Sequence, residues 1–265
     1  VTYLNDVVLG VIEGITEFLP ISSTGHLILA EHWLGTRSDT YNIVIQAGAI
    51  LAVTLIYWRR LMELLFHWRE PANRDYLLKL TVAFAITAVL GLIVKKMGFE
   101  LPTTIQPVAW ALVIGGIWML FAEQVADRQR DNSAILWRVA IGVGLAQIVA
   151  GIFPGTSRSA ATIFVAMLLG TSNRAAATEF AFLVGIPTMY AASGYELLKQ
   201  ITHGNGQPEN WGSLGIAFVV STVTAFVAVK WLLGYIQGHR FTIFAVYRIL
   251  FGGLLLTLLG TGVVS

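Results

Sequence analysis

Glu13 and Glu17 stand four residues apart inside an apolar run, GVIEGITEFLPISSTGHLIL (residues 10–29), which also holds Ser22, Ser23, Thr24, Gly25 and His26. On a helix that spacing puts both carboxylates on one face, together with Gly10 and Gly14. Pro20 stops the helix, because neither it nor its predecessor continues one easily. Ser22 or Ser23 then suits the N-cap of a second helix running through His26 and Leu29. The turn sets hydroxyls and free backbone N–H groups at a helix start, facing two acids. Such an arrangement suits a phosphate, with a divalent cation to reconcile it with the glutamates. Mg²⁺ or Ca²⁺, hard cations that take oxygen ligands, are the candidates, with Glu13 and Glu17 as their ligands. Without a counter-charge or a shared proton, two carboxylates this close do not both stay ionised in a low dielectric.

The rest of the chain places this turn in a membrane. Hydrophobic residues make up 56% and charged residues 12% of the sequence, against roughly 25% charged in an ordinary soluble domain. The mean hydropathy is +0.72, and several apolar runs reach the ~18–20 residues that cross a bilayer. A polytopic membrane protein of one domain is expected. No cysteine occurs, which excludes disulfides, zinc–thiolate sites and a cysteine nucleophile. The first residues, VTYLND, carry no Lys or Arg and do not read as a signal peptide. The missing initiator Met suggests that the numbering starts inside the natural chain. Nothing in the composition points to nucleic acid, and the oligomeric state is not legible.

The apolar block 7–34 is broken at Pro20. Each arm is about 12–13 residues, roughly 18–20 Å of helix, against a hydrocarbon core of ~30 Å. A re-entrant hairpin that dips in and leaves on the same side is expected, with its turn buried in protein. Spanning segments follow at about 41–58, 77–97 and 105–123, with an arginine-containing loop over 59–76. After a polar linker, Asp127–Ser133, the pattern returns. GVIEGITEFLPISS aligns with GLAQIVAGIFPGTS at an offset of 134, which sets Glu13 on Gln147, Pro20 on Pro154 and Ser23 on Ser157. The same offset sets Ala83-Phe84 on Ala217-Phe218 and Lys96 on Lys230. Three more spans are expected at about 176–198, 214–236 and 243–262. The fold class is therefore all-α, with repeat 1 at about 1–126 and repeat 2 at about 134–265, each one hairpin plus three crossings. An odd number of crossings inverts the second copy, and the site of an inverted-topology repeat lies where its broken helices meet.

Orientation follows from the arginines. With 59–76 in the cytoplasm, Arg128, Arg130, Arg138, Arg174 and Arg240 fall there too, and both termini fall outside. Trp58, Trp137, Trp211 and Trp231 sit near expected helix ends, as interfacial aromatics do. The second tip reads FPGTSRSA (residues 153–160). An arginine at membrane depth costs at least ~2.5–3.5 kcal/mol on insertion scales, so it needs partners and usually a function. The Arg158 fork suits a bidentate grip on phosphate.

EGxTEFLPxSSTGH in the first hairpin and PGxSRS in the second resemble the undecaprenyl-diphosphate phosphatase family, the bacitracin-resistance membrane enzymes. The resemblance covers essentially the whole chain, including Tyr247-Arg248 near the start of the last span. It implies a metal-dependent enzyme of the bacterial plasma membrane, acting mainly at the outer face on an isoprenyl diphosphate lipid and recycling the lipid carrier of cell-wall synthesis. By position, Glu13 and Glu17 match the family's acidic motif, Ser23 its proposed nucleophile, His26 the neighbouring histidine and Arg158 the phosphate clamp. Ser22, Thr24 and Gly25, with Gly155, Thr156, Ser157 and Ser159, are the substrate-binding candidates. One departure is Ala160, where the family pattern has glycine.

Simpler readings stand beside these. Ser22, Ser23 and Thr24 also suit caps and turns, and His26 also suits a structural role. Ser23 and a water molecule both remain as nucleophile, and Glu17 and His26 both remain as base. Gln147 reads as a helix-packing hydrogen bonder, and Arg248 and Glu179 as structural partners. His32, His67, His203 and His239 receive no role. A transporter or flippase is the alternative, since inverted repeats with broken helices are common there. An acid-phosphatase-like lipid phosphatase, echoed in SGH and SR motifs, is excluded because TIFVAMLLG after the arginine lacks the required histidine and aspartate.

Overall fold

The computed structural model describes residues 3–98, 104–203 and 210–263, so both chain ends, expected outside, lie beyond the described residues. Eleven α-helices are present among them. They are α1 (Tyr3–Thr16), α2 (Ser23–Leu34), α3 (Asp39–Ile56), α4 (Trp58–Phe66), α5 (Pro71–Lys96), α6 (Ile105–Asp127), α7 (Trp137–Ile152), α8 (Arg158–Leu168), α9 (Arg174–His203), α10 (Trp211–Tyr235) and α11 (Thr242–Gly260). Six of them, α3, α5, α6, α9, α10 and α11, are long and apolar enough to cross a membrane. The chain is an all-helical, polytopic membrane protein.

The helix pairs α1–α2 and α7–α8 are shorter, 11 to 16 residues per arm, or about 17–24 Å at 1.5 Å per residue. α1 ends at Thr16, because the ring of Pro20 clashes with the carbonyl four residues before it. Glu17 N–H still donates to the Glu13 carbonyl at 3.0 Å, which keeps the two glutamates one turn apart.

The stretch 59–76, expected as a loop, contains a helix of its own. In α4, Leu64 is buried and Leu61 packs against the core, while Arg59 and Glu63 face outward. That two-sided pattern is what makes nine residues helical here. Arg60 pairs with Glu63 at 2.9 Å and with Glu179 of α9 at 3.3 Å, so Glu179 is an anchor for α4.

Each hairpin packs on a long helix from the other half of the chain, α1 on α10 and α7 on α5. Glycines set both approaches. A Cβ on Gly10 would lie 2.8 Å from the Ala217 carbonyl oxygen and 3.1 Å from Val220 Cβ. A Cβ on Gly144 would lie 2.8 Å from the Ala83 oxygen and 3.1 Å from Ile86 Cβ. Only glycine admits backbones this close. All three residue pairs are related by the offset of 134 read from the sequence.

At the tips the offset changes. The two non-glycine residues with positive φ among those described are Ser22 (φ 72°) and Ser157 (φ 68°), and each immediately precedes the second helix of its hairpin. Ser22 thus corresponds to Ser157 and Ser23 to Arg158, one residue away from the expected match of Ser23 with Ser157. The second tip holds one extra residue between its proline and its cap.

Candidate active site at the hairpin tips

The two tips touch. Ser159 Oγ donates to the Leu19 carbonyl at 3.1 Å, and Arg248 reaches the carbonyls of Pro20, Gly155 and Thr156 at 3.5, 3.0 and 2.9 Å. Beside this junction lies a small polar pocket. Glu17, Ser22, Ser23 and Thr24 line it from the first hairpin, Ala150, Gly155, Ser157 and Arg158 from the second, and Gln46 from α3.

Glu17 is at the centre of the polar contacts. Its Oε2 accepts from Ser23 Oγ at 2.5 Å, and its Oε1 accepts from Gln46 Nε2 at 3.3 Å. Arg158 Nη2 stands 4.0 Å from the same Oε1. A hydroxyl held against a carboxylate is poised to lose its proton and act as a nucleophile. An arginine across the gap offers donors to an anion between them.

Glu13 lies one turn deeper and is 2% exposed, and its Oε2 has no hydrogen-bond partner. A buried, unpartnered carboxylate oxygen calls for a proton or a cation. Among the described residues no group of three or more His, Cys, Asp or Glu side chains could cage a metal. The carboxylates present would suit a cation of the Mg²⁺ type, which takes one or two of them and completes its shell with water and substrate phosphate.

His26 lies off the pocket lining, turned toward α11. Its Nδ1 is 2.7 Å from the Ser22 carbonyl, which only accepts, so Nδ1 carries the hydrogen. In the neutral ring Nε2 then accepts from Tyr247 Oη at 2.7 Å, and the ring stacks on Phe251 at 4.3 Å between centroids. The histidine holds the carbonyl of the positive-φ residue Ser22, which makes no side-chain cap bond itself.

The other candidates separate by position. Ser157 Oγ caps α8 by accepting from Ala160 N–H at 3.3 Å and lies 3.0 Å from Ser159 Oγ. Ala160 is buried in the helix without disturbing that cap. Thr156 presents its carbonyl to Arg248, and Gly25 faces α6, where a Cβ would lie 3.2 Å from Leu112 Cδ1. Gln147, the counterpart of Glu13, donates to Thr87 and Thr188 and so packs helices together. Gln46 is a polar pocket residue that lies outside both hairpin motifs. Its signal was an amide in the middle of an apolar span.

Comparison with known proteins gives one family. The family described as bacitracin resistance protein BacA matches residues 6–254. Proteins named undecaprenyl-diphosphatase are 70% identical over 263 residues in Rhizobium johnstonii and 72% over 264 residues in Rhizobium leguminosarum bv. trifolii, each covering 99% of both chains. A protein of the same name from Xanthomonas axonopodis pv. citri is 62% identical over 253 residues, 96% of both chains.

The pocket makes a prediction about anions. Pyrophosphate titrated into the purified protein should bind, and Arg158→Lys should weaken binding about ten- to a hundred-fold, the worth of a charged hydrogen bond of ~1.5–3 kcal/mol. Equal affinity in the two proteins would reject Arg158 as the anion grip.

Proposed function

The chain belongs to the bacitracin resistance protein BacA family, and from that premise we propose that it hydrolyses undecaprenyl diphosphate to undecaprenyl phosphate and inorganic phosphate between its hairpin tips. The observation that carries the assignment of residues is the 2.5 Å contact of Ser23 Oγ with Glu17, facing Arg158 from the other hairpin.

In this reading Ser23 Oγ attacks the terminal phosphorus in line while Glu17 takes its proton. The bond from that phosphorus to the bridging oxygen breaks, and undecaprenyl phosphate leaves. Arg158 holds the phosphoryl oxygens as charge builds on them. Glu17 passes that proton to the departing lipid phosphate and, ionised again, takes one from the water that cleaves the phosphoserine, then returns it to Ser23 Oγ as inorganic phosphate leaves. Glu17 rather than His26 serves as base, because both ring nitrogens of His26 are engaged with Ser22 and Tyr247. Glu13 and Glu17 would hold a divalent cation, Mg²⁺ or Ca²⁺, which when bound would supply charge neutralisation at the phosphoryl group. Ser22, Thr24, Gly155 and Ser157 line the space for the diphosphate. Gly25, Thr156 and Ser159 serve it from behind, as packing and ties.

The architecture belongs to the same proposal. One integral membrane domain holds two inverted repeats, about 1–126 and 134–265, each with a re-entrant hairpin and three crossings. Hairpin arms too short to span and paired glycine contacts at one offset support it. The enzyme sits in the bacterial plasma membrane with its pocket opening outward, and the isoprenyl tail lies in the bilayer between helices.

Two experiments test this reading. Pure protein in detergent, without any gradient, should release phosphate from undecaprenyl diphosphate; chelator should abolish release, and Mg²⁺ or Ca²⁺ should restore it. Glu13→Gln should raise the cation concentration required by roughly tenfold or more, a ligand loss of about 1.4 kcal/mol. Full turnover in excess chelator would end the metal assignment, and no release at all would favour a transporter. For orientation, the natural lack of cysteine helps. A single cysteine at exposed Thr36 should react with an impermeant thiol reagent on whole cells, and one at exposed His67 should not. The reverse pattern overturns the orientation.

A further inference from the structure

Arg248 is wholly buried, yet it makes no ion pair among the described residues. Its guanidinium spends its donors on backbone carbonyls. Nη1 reaches Thr156 O at 2.9 Å and Pro20 O at 3.5 Å. Nη2 reaches Gly155 O at 3.0 Å and Ala111 O at 3.1 Å, and Nε reaches Leu112 O at 3.4 Å. Three of these five oxygens belong to the hairpin tips, where the backbone leaves helical geometry and its carbonyls have no helical donor. The other two belong to α6.

The neighbouring helix is cut to fit. A Cβ on Gly115 would lie 2.3 Å from Arg248 Nη2 and 3.0 Å from its Cζ, and the three nearest atoms all belong to that one side chain. Gly115 therefore keeps space for the guanidinium.

The connection to the pocket runs through the peptide planes. A trans peptide sets its N–H opposite its C=O. With the Thr156 carbonyl committed to Arg248, the N–H of Ser157 points away from the guanidinium. Ser157 lines the pocket, and Arg158 follows it directly. The Pro20 carbonyl lies two residues before the positive-φ Ser22, which carries Ser23 on its other side.

Resting on the hydrolase reading above, we propose that Arg248 is a positioning residue for that site. By gripping the carbonyls of both tips it holds Arg158 opposite Glu17 and Ser23, and it never touches the substrate. Lysine replaces it only in part, since an ammonium presents three donors from one point where the five oxygens need a planar fork.

The test uses full-length protein with four substitutions, Arg248→Lys, Arg248→Ala, Gly115→Ala and, as a control, Gly253→Ala, whose added Cβ meets nothing within 4 Å. Two quantities are read: amide hydrogen exchange in peptides covering 17–24 and 153–160, and turnover of a short-chain isoprenyl diphosphate. Arg248→Ala and Gly115→Ala should speed exchange at both tips and leave α3, α5 and α10 as protected as in the parent. Their kcat should fall about tenfold or more, as a loosened near-attack geometry does, with Arg248→Lys between them and the parent. Millimolar guanidinium should restore both protection and turnover to Arg248→Ala, and Gly253→Ala should behave as the parent.

Unchanged tip exchange in Arg248→Ala and Gly115→Ala would overturn the proposal. So would faster exchange throughout the chain with normal turnover per folded molecule, since that describes a residue needed only for the fold. Parent protein that releases no phosphate would instead overturn the hydrolase reading, and tip exchange alone would then decide the role of Arg248.

Discussion

A backbone that leaves helical geometry at membrane depth has no water to satisfy its carbonyls, and each one left unmet costs several kcal/mol. This chain breaks two helices in its interior and meets the freed carbonyls chiefly with Arg248, with Ser159 on Leu19 and His26 on Ser22 beside it. Arg248 accepts the company of five carbonyls and no carboxylate. An arginine at the centre of a bilayer costs roughly 2.5–3.5 kcal/mol on insertion scales, while a charged hydrogen bond contributes about 1.5–3 kcal/mol. The two shortest contacts of Arg248, at 2.9 and 3.0 Å, are enough to offset a penalty of that size. Once those carbonyls are held, the tips meet, and everything in the pocket takes its place from that meeting.

The two halves share a scaffold and differ in charge. Gly10 and Gly144 make the same contacts with the opposite half, and Ser22 and Ser157 make the same turn. Yet the first half carries Glu13 and Glu17 where the second carries Gln147 and Gly151, and the hydroxyl of Ser23 is answered by the guanidinium of Arg158. A symmetric version would bring two acidic tips together, or two basic ones. The asymmetry sets a hydroxyl and its carboxylate partner opposite a guanidinium, across a gap that both halves line. His26 belongs to the same design from behind, clamping the Ser22 carbonyl while Tyr247 and Phe251 hold its ring.

Much of this was legible in the residues, because bilayer length and helix breaking are blunt constraints. Six spans, two hairpins with arms too short to cross and the cluster around Glu17 follow from hydropathy, Pro20 and Pro154. What stayed hidden depends on partners far away in sequence. The one-residue shift at the second tip rests on a serine taking a positive φ, and serine, unlike glycine, gives no warning of it. α4 looked like an arginine-bearing loop because its nine residues are too few to show a period clearly, and only Leu61 and Leu64 packing inward define it. Gln46 was visible as an amide in an apolar span, but nothing local said that it would face Glu17. The direction of His26 was equally non-local, since Tyr247 lies 221 residues away.

The central claim is that Ser23, deprotonated by Glu17, carries the phosphoryl group during turnover. The most direct measurement is an acid quench within the first turnovers of substrate labelled in its terminal phosphate, followed by mapping of the labelled peptide. The account requires label on Ser23, absent in Ser23→Ala and present in Ser22→Ala. Wild-type turnover with no labelled protein at any quench time, or label on a different residue, would contradict it.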